Sequence, residues 1–285
     1  MKENDTWVRF LYETVLGRCL LKLIQRFHVD RLIVRFLRSP RSCGFTAWYV
    51  KRNHIPISRE ELQQYATFRD FFARDREPRG VDITPEHMIS PCDGWLSVYP
   101  IAESSSFAIK HSRYYIRDLI GDEKLAKNYH GGTCLVFRLC ASDYHHYYYF
   151  DDGFQGQTHR IEGQLHSVQP IACETYPVYT LNRRCWCLLA TENFGPVVQT
   201  EIGALIVGGI ANNEGNSRFC RGMEKGHFEL AGSTIVLLFE QRRIRLLPEL
   251  TTVMEEAGEV RVEQGMWIAS RYEKGLQDEQ THDRK

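Results

Sequence analysis

The chain has 285 residues, of which 43% are hydrophobic and 25% are charged. This length and composition indicate a folded protein with a substantial core, and they exclude collagen-like, low-complexity and disordered chains. The 36 basic side chains balance the 36 acidic ones, so the formal net charge is zero. A nonspecific nucleic-acid binder is therefore not expected.

Positive charge is concentrated at the amino-terminal end of the chain. Residues 1–52 contain 11 Lys and Arg against 4 Asp and Glu, whereas residues 53–285 contain 25 against 32. No apolar run in the basic part approaches the roughly 18 residues needed to span a bilayer. The opening MKENDTW is too polar and acidic for a signal peptide. We therefore expect neither a membrane-spanning segment nor secretion.

Apolar side chains recur at helical spacing from residue 7 to residue 38, with basic residues between them. This pattern predicts amphipathic basic helices. Such helices either pack on the rest of the protein or bind a membrane surface, and the two roles are compatible. Farther along, Ser58 and Glu61 form a capping-box signature that predicts the start of a short helix. We assign residues 1–60 to an N-terminal helical, membrane-associating region.

Beyond residue 88 the sequence changes to short apolar runs rich in Val, Ile, Leu and aromatic residues, such as TCLVFRL, RCWCLLA and STIVLLF. Short connections, often marked by Gly, favour antiparallel pairing over alternating βαβ units. We therefore predict an α+β fold, with N-terminal amphipathic helices followed by a mostly antiparallel, β-rich catalytic body. Residues 61–270 form this body, and residues 271–285 form a loose polar tail.

The nine cysteines are scattered along the chain, with no C-x-x-C pair and no His/Cys cluster at zinc-finger spacing. This distribution is typical neither of a disulfide framework nor of a zinc module. We expect reduced thiols, mostly buried, in a cytosolic setting, and no metal site.

A Gly-Ser-Thr turn at residues 232–234 leads directly into an apolar strand. By itself such a turn is an ordinary strand entry. It stands, however, with four other motifs, which are DFFARDREPR at 70–79, SPCDG at 90–94, DYHHY at 143–147 and EIGALIVGGI at 201–210. Together these segments resemble the phosphatidylserine decarboxylase family over about residues 65–270.

This resemblance implies a proenzyme that cleaves itself between Gly232 and Ser233. Ser233 Oγ attacks the Gly232 carbonyl to give an ester. Elimination then releases the upstream chain and leaves dehydroalanine, which hydrolyses to an N-terminal pyruvoyl group and ammonia. Gly232 leaves room for the attack because it lacks a Cβ. The products are a beta chain of residues 1–232 and an alpha chain of residues 233–285, which stay associated as a heterodimer.

Cleavage requires a base for the Ser233 proton, because a serine hydroxyl is a poor nucleophile. The resemblance assigns Asp93 as the carboxylate that orients a histidine, although an Asp-Gly pair alone is a common turn. The family's pattern D-Y-H-x-x-H places one site histidine at His145 and the base where this chain has Tyr148. We therefore interpret His145 as a site residue, and His166, expected on the following strand, as an alternative base.

After cleavage, the resemblance implies decarboxylation that depends on the pyruvoyl group. The substrate amine forms a Schiff base with it, the adjoining carbonyl accepts the electrons released with CO2, and an acid then protonates the product carbon. His145 is the candidate acid. The implied substrate is phosphatidylserine and the product phosphatidylethanolamine, which suits a basic region that binds an anionic membrane surface. We expect a peripheral membrane protein on the cytoplasmic side.

Three alternatives stay open. A decarboxylase of a soluble, aromatic amino acid would use the same pyruvoyl group. A Ser-His-Asp hydrolase is disfavoured because the chain has no G-x-S-x-G elbow. A catalytically inactive, membrane-binding homologue is suggested by the missing second histidine. The oligomeric state, including a homodimer, is also open.

Overall fold

The structure, a computed structural model, leaves several short parts of the chain undescribed. The described residues are 6–27, 29–76, 80–109, 112–204, 209–213, 215–230 and 233–273. Gly232 and residues 274–285 of the predicted tail lie outside them. Ser233, on the other side of the predicted cleavage site, is described.

The amino-terminal part of the chain is helical, as its apolar periodicity predicted. Its helices are α1 (Thr6–Glu13), α2 (Val15–Arg26), α3 (Val29–Leu37), a 3₁₀ turn (Pro40–Ser42), α4 (Cys43–Asn53), α5 (Arg59–Leu62) and α6 (Phe68–Phe72). The Ser58 side chain accepts a hydrogen bond from the Glu61 backbone N. A capping oxygen of this kind satisfies one of the free N–H groups of the first turn. The predicted helix start at Ser58 is therefore confirmed.

Short helices also interrupt the strands that follow. They are α7 (Ile116–Ile120), α8 (Glu123–Ala126), a 3₁₀ turn (Lys127–Tyr129), α9 (Pro170–Thr175), α10 (Val178–Leu181) and α11 (Pro248–Ala257). Pro170 and Pro248 begin their helices, a position that suits the fixed φ of proline and its missing N–H. None of the helices in the described part of the chain is long and apolar enough to cross a membrane.

The rest of the body is made of strands, which pair with antiparallel neighbours. They are β1 (His87–Ile89), β2 (Gly94–Pro100), β3 (Ser106–Ile109), β4 (Ser112–Tyr115), β5 (Thr133–Leu139), β6 (His146–Tyr148), β7 (Gly153–Gln155), β8 (His159–Ile161), β9 (Arg184–Thr191), β10 (Gly195–Ile202), β11 (Ile210–Asn212), β12 (Ser217–Phe219), β13 (Glu224–Phe228), β14 (Ser233–Phe239), β15 (Ile244–Leu246), β16 (Val260–Val262) and β17 (Trp267–Arg271). The predicted α+β fold with mostly antiparallel sheets is therefore confirmed.

The largest sheet has nine strands, in the order β12-β7-β9-β10-β14-β5-β2-β16, with β8 also paired to β9. Three smaller sheets have the orders β1-β17-β15, β11-β13-β6 and β3-β4. Strand β14 lies in the middle of the large sheet, and each of its seven residues is buried. A strand buried on both faces has a continuous apolar sequence, which is what STIVLLF provides. The prediction that this run is a central strand is confirmed.

Two apolar clusters hold the helices to the sheets. The main core includes Leu11, Tyr12 and Leu21, so α1 and α2 pack on the body. A second cluster, which we call the N-terminal cluster, consists of Leu37, Ile55, Phe68, Phe71, Phe72 and Leu230. Leu230 comes from the segment just before the predicted cleavage site. The N-terminal helices are therefore packed against that segment as well as against the core.

The cysteines are free thiols. Five of the nine are buried, namely Cys92, Cys134, Cys173, Cys185 and Cys187. Burial raises the pKa of the Cys92 thiol well above its ordinary value, so this side chain stays neutral. The prediction of reduced, mostly buried thiols is confirmed.

Candidate active site

Adjacent strands of the large sheet bring distant parts of the chain to one edge. Ser233 begins β14 and is paired with Leu139, the last residue of β5. Strand β2 is the other neighbour of β5, and Asp93 lies immediately before its first residue, Gly94. A Cβ on Gly94 would lie 2.8 Å from the Arg138 carbonyl oxygen, so glycine allows β2 to begin close to β5. Asp93 and Ser233 therefore lie at the same edge, where β5 ends.

Ser233 is completely buried at this edge. Its Oγ has no hydrogen-bond partner among the described residues. Leaving a buried hydroxyl without a partner costs about 1–3 kcal/mol, so stability does not explain the presence of serine at this position.

His145 follows β5 and reaches the end of β13, where its carbonyl oxygen accepts a hydrogen bond from the Phe228 backbone N. The imidazole Nδ1 lies 2.8 Å from the Asp143 carbonyl oxygen, which can only accept, so Nδ1 carries the proton. Burial lowers the pKa of His145 to about 4. The ring is therefore neutral near pH 7 and carries its lone pair on Nε2.

The Nε2 atom of His145 is also buried, and no described residue forms a hydrogen bond with it. The Phe72 ring lies against the imidazole, with ring centroids 4.3 Å apart. An apolar wall of this kind excludes water and keeps the imidazole uncharged. His145 thus presents a neutral, unbonded nitrogen, which is the form that a general base requires.

Asp93 is bound by two groups at the edge of the sheet. Its Oδ2 lies 2.7 Å from Arg76 Nη1, and its Oδ1 accepts a hydrogen bond from the Gln264 backbone N. The Arg76 guanidinium also lies over the Tyr144 ring, 4.3 Å from its centroid. His145 Nδ1 donates its hydrogen bond to the Asp143 carbonyl oxygen. Asp93 is thus a buried carboxylate held in place by a charge-assisted hydrogen bond.

Tyr148 stands where the family's pattern has its second histidine. It lies on β6, and its backbone N donates a hydrogen bond to the Pro91 carbonyl oxygen at 2.9 Å. The DYHHYYY segment is therefore in direct contact with the SPCDG turn that carries Asp93.

His166 lies in the loop between β8 and α9, so the prediction that it is on a strand is wrong. The backbone groups of His166 pair with the Asn182 side chain and not with a neighbouring strand. The His166 backbone N donates to Asn182 Oδ1, and Asn182 Nδ2 donates to the His166 carbonyl oxygen. The His166 ring is engaged at both nitrogens. Nδ1 lies 3.3 Å from Tyr12 Oη, and Nε2 lies 2.9 Å from Gln164 Oε1.

The same Asn182 side chain links the loop of His166 to the edge of the large sheet. Its Nδ2 donates to the Gly203 carbonyl oxygen, and Gly203 follows the last residue of β10. In the register of the sheet, Ile202 of β10 is opposite Thr234 of β14. His166 is therefore connected to the Ser233 region through backbone and amide groups, and through Tyr12 to the N-terminal helix α1.

Comparison with known proteins identifies the family. The family model described as phosphatidylserine decarboxylase matches residues 68–268. Phosphatidylserine decarboxylase proenzyme 2 of Clostridium acetobutylicum is 39% identical over 261 residues, which cover 90% of this chain and 89% of the relative. The chain belongs to the phosphatidylserine decarboxylase family.

Two other members of the family match over a slightly larger share of each chain. The phosphatidylserine decarboxylase proenzyme of Ruminiclostridium cellulolyticum is 34% identical over 272 residues, with 93% of this chain and 91% of the relative covered. The proenzyme of Clostridium botulinum is 31% identical over 273 residues, with coverage of 93% and 92%. The predicted resemblance is thus confirmed. The relatives are named proenzymes, which implies self-processing in the family.

Sequence reasoning missed two ion pairs around the site of this phosphatidylserine decarboxylase family member. The first pair is formed by Arg76 and Asp93. Arg76 lies in the DFFARDREPR motif, so this motif could have indicated a basic partner for the Asp93 carboxylate. Lys225 and Glu201 form the second pair, with Nζ and Oε1 2.7 Å apart and both side chains fully buried. Burial alone would lower the pKa of Lys225, but the Glu201 carboxylate raises it above its ordinary value. Glu201 belongs to the EIGALIVGGI motif and is opposite Ile235 of β14.

Residues with metal-binding side chains also occur near the site. His146 Nδ1 or Nε2, a carboxylate oxygen of Glu224 and a ring nitrogen of His227 lie within 4.8 Å of one another. His146 is the neighbour of His145 in sequence, but its ring contacts Glu224 and the Ala73 carbonyl oxygen. These contacts involve neither Ser233 nor the His145 ring.

Proposed function

We propose that this protein is a self-processing phosphatidylserine decarboxylase, which converts phosphatidylserine to phosphatidylethanolamine and CO2 with a pyruvoyl group made from Ser233. The observation that carries the proposal is the placement of Ser233. It begins the central strand of the large sheet, fully buried, with an Oγ that no described residue binds. Membership of a family whose members are named proenzymes supports the same activity.

A pyruvoyl group fits position 233. It is no larger than the serine residue from which it derives, and its formation breaks no hydrogen bond of Ser233 Oγ to a described residue. When formed, the group supplies a carbonyl that accepts the electrons released with CO2. The apolar surroundings of β14 exclude water from that chemistry.

For the processing step we assign the base to His145. Its Nε2 carries a lone pair, is buried and has no hydrogen-bond partner among the described residues, so it is available to take the Ser233 Oγ proton. Both nitrogens of His166, by contrast, are within hydrogen-bond distance of other side chains. We also assign to His145 Nε2 the delivery of a proton to the product carbon after CO2 leaves, with one proton taken up from solvent in each turnover.

Asp93 is proposed as a positioning residue. With Arg76 and the Gln264 backbone N it fixes the start of β2 beside the end of β5. The carboxylate that favours the protonated form of His145 is that of Asp143, which opposes the effect of burial on the His145 pKa.

The N-terminal helices are proposed to dock on an anionic membrane surface. Large apolar side chains on α1 to α3 are exposed, among them Trp7 and Leu16, each 71% exposed. Exposed basic side chains accompany them, including Arg26, Arg31 and Arg35. Apolar and basic groups on one set of helices are what an interfacial helix requires.

The test is the mass of the purified protein together with its activity on phosphatidylserine vesicles. We expect two chains, of residues 1–232 and 233–285, and release of CO2 with formation of phosphatidylethanolamine. Ser233→Ala is expected to give one intact chain and no CO2, whereas Ser217→Ala, at an exposed serine on β12, is expected to behave as the native protein. Two chains from Ser233→Ala would contradict the processing site.

The same assay separates the alternative substrates. Cleaved protein that releases CO2 from a free aromatic amino acid but not from phosphatidylserine would replace the lipid assignment and keep the pyruvoyl group. An intact chain that still binds vesicles would identify an inactive membrane-binding homologue.

A further inference from the structure

The cluster of His146, Glu224 and His227 has no part in the proposed chemistry. It lies where β6 and β13 are paired, with His146 directly opposite His227. Side chains at opposite positions of an antiparallel pair project from the same face. The two imidazoles accordingly stack, with centroids 4.7 Å apart and planes 20° apart.

Glu224 joins the two histidines because the strand pairing is irregular. The register between β13 and β6 shifts between Glu224 and Gly226. A regular strand would place residues 224 and 227 on opposite faces, whereas an irregularity of this kind re-aims a side chain. As a result Glu224 Oε1 lies 2.9 Å from His146 Nδ1 and 3.6 Å from His227 Nδ1.

The hydrogen bonds of His146 define its donor atom. Its Nε2 lies 3.2 Å from the Ala73 carbonyl oxygen, which only accepts, so Nε2 carries a proton. In the neutral ring the lone pair is then on Nδ1, directed at the Glu224 carboxylate. A lone pair facing a carboxylate oxygen is repulsive, and either a bound cation or protonation of the ring removes the repulsion. A backbone carbonyl that binds the second nitrogen is also the usual support of a metal-bound imidazole.

The surroundings leave room for an ion and for a further ligand. The cluster lines an open cleft of about 500 Å³ together with Tyr65, residues of α6 and the segment after α6. The carboxylates of Asp70 and Asp75 line this cleft as well, beside Arg69 and Arg74. One of these cations, Arg69, is paired with Glu229, 2.8 Å away. The charge of the cleft therefore does not oppose a divalent cation.

We propose that His146 Nδ1, Glu224 Oε1 and His227 Nδ1 bind a zinc ion, with the fourth position open to the cleft. Two imidazoles and one carboxylate are a donor set that zinc prefers, and an open fourth position is common for such sites. Donor atoms around a tetrahedral zinc lie about 3.3 Å apart, as its bond lengths of about 2.0–2.1 Å require. The longest separation in the cluster, up to 4.8 Å, closes by rotation of the partly exposed Glu224 and His227.

A zinc ion here would cross-link chain segments beside the proposed active site. It joins β6 to β13, and the His146 ring extends the connection to Ala73 at the end of α6. The residue before His146 is His145, and the strand that carries His227 ends at Phe228, which bonds the His145 carbonyl. Zinc binding is therefore expected to stabilise the segments that hold His145 in place.

The experiment is a zinc titration of the full-length protein, read by metal content after dialysis and by the thermal midpoint. We expect one equivalent of zinc and a rise in the midpoint. Glu224→Gln and His227→Ala are expected to weaken binding at least about 100-fold and to lose the rise. The matched control is His159→Ala, which removes an exposed histidine on β8 and is expected to bind zinc as the native protein does.

Cobalt substitution distinguishes this site from the exposed thiols of Cys19, Cys43 and Cys220. Binding by two imidazoles and a carboxylate gives a visible cobalt spectrum without the intense near-ultraviolet band of a thiolate. Such a spectrum, kept when the three cysteines are replaced by serine, supports the proposal. Three results would each overturn it. They are a thiolate band, zinc binding that is unchanged in Glu224→Gln and His227→Ala, and the absence of stoichiometric binding. The last result would leave a protonated His146 paired with Glu224.

Discussion

Arg76 Nη1 lies 2.7 Å from Asp93 Oδ2, and this contact joins the segment after α6 to the turn that begins β2. The Arg76 side chain is 27% exposed and that of Asp93 7%. A charge pair in such a setting is partly protected from solvent, so each partner depends on the other. The N-terminal helical part and the β-rich body therefore share an electrostatic contact at the site itself.

Arg76→Ala is expected to lower the free energy of unfolding by about 1–3 kcal/mol, because it removes the charge-assisted hydrogen bond of Arg76 from the buried Asp93 carboxylate. Self-cleavage should also slow, since the start of β2 loses its anchor. Urea unfolding and the rate of appearance of the two chains measure the effects. Arg218→Ala, at an exposed arginine on β12, is the control. Equal stability of the two variants would show that the Arg76 contact contributes nothing.

The two histidines are expected to differ in processing. His145→Ala should remain one chain, because Ser233 loses the neutral, unbonded nitrogen that takes its proton. His166→Ala should still cleave, although its thermal midpoint should fall with the loss of the contacts to Tyr12 and Gln164. Mass spectrometry of both variants after equal incubation measures the fraction of cleaved chain and shows which histidine self-cleavage requires. Cleavage in His145→Ala together with an intact His166→Ala would assign the base to His166.

Acid is expected to destabilise the protein in part through His166. Burial lowers the pKa of His166 in the folded state below the value of about 6.5 of the unfolded chain. As the pH falls below about 6.5, the unfolded state binds a proton that the folded state does not, so the free energy of unfolding decreases until the folded pKa is reached.

His166→Gln removes this titration, and its stability should therefore fall less steeply than that of the native protein between pH 7.5 and 5.5. Urea midpoints at both pH values measure the two slopes. Parallel slopes would show that the His166 pKa is the same in both states.

Reversal of Arg26, Arg31 and Arg35 to Glu is expected to weaken binding to anionic vesicles. Each basic residue near such a surface contributes about 1 kcal/mol, so losing three reduces the partition constant by at least about 100-fold. The loss should shrink at high salt, because exposed charges are screened. Vesicle sedimentation measures it, with Arg218, Arg242 and Arg245 reversed together as the control. Unchanged binding of the first variant would make the helices structural.

Much of the fold could be predicted from local patterns. The Ser58 cap and the apolar run of β14 depend on residues close in sequence, and both are found where they were predicted. The family could be predicted because several motifs occur together in one chain. Ser233 and Asp93 come to one edge of the large sheet through strand pairing, and their order in the chain gives no distance between them.

The parts that could not be predicted depend on long-range contacts. The sequence reading places His166 on the strand after the DYHHY motif, but the Asn182 side chain forms its backbone hydrogen bonds. The pairing of Lys225 with Glu201 also has no local signal, since each charge alone is typical of a solvated surface. Both the position of His166 and the pairing of Lys225 with Glu201 depend on contacts between residues that are distant in sequence.

The position of β14 between β10 and β5 has a consequence for the state after self-cleavage. Both of those neighbours precede Ser233 in the chain, and so do β2, the partner of β16, and β1, one of the two partners of β17. A break before Ser233 therefore cuts the polypeptide without dividing the hydrogen-bonded sheets. Strand β14 of the carboxyl-terminal piece is buried within the large sheet. Dissociation of this piece would therefore require unfolding of the sheet. Cleaved protein should consequently unfold in a single cooperative transition.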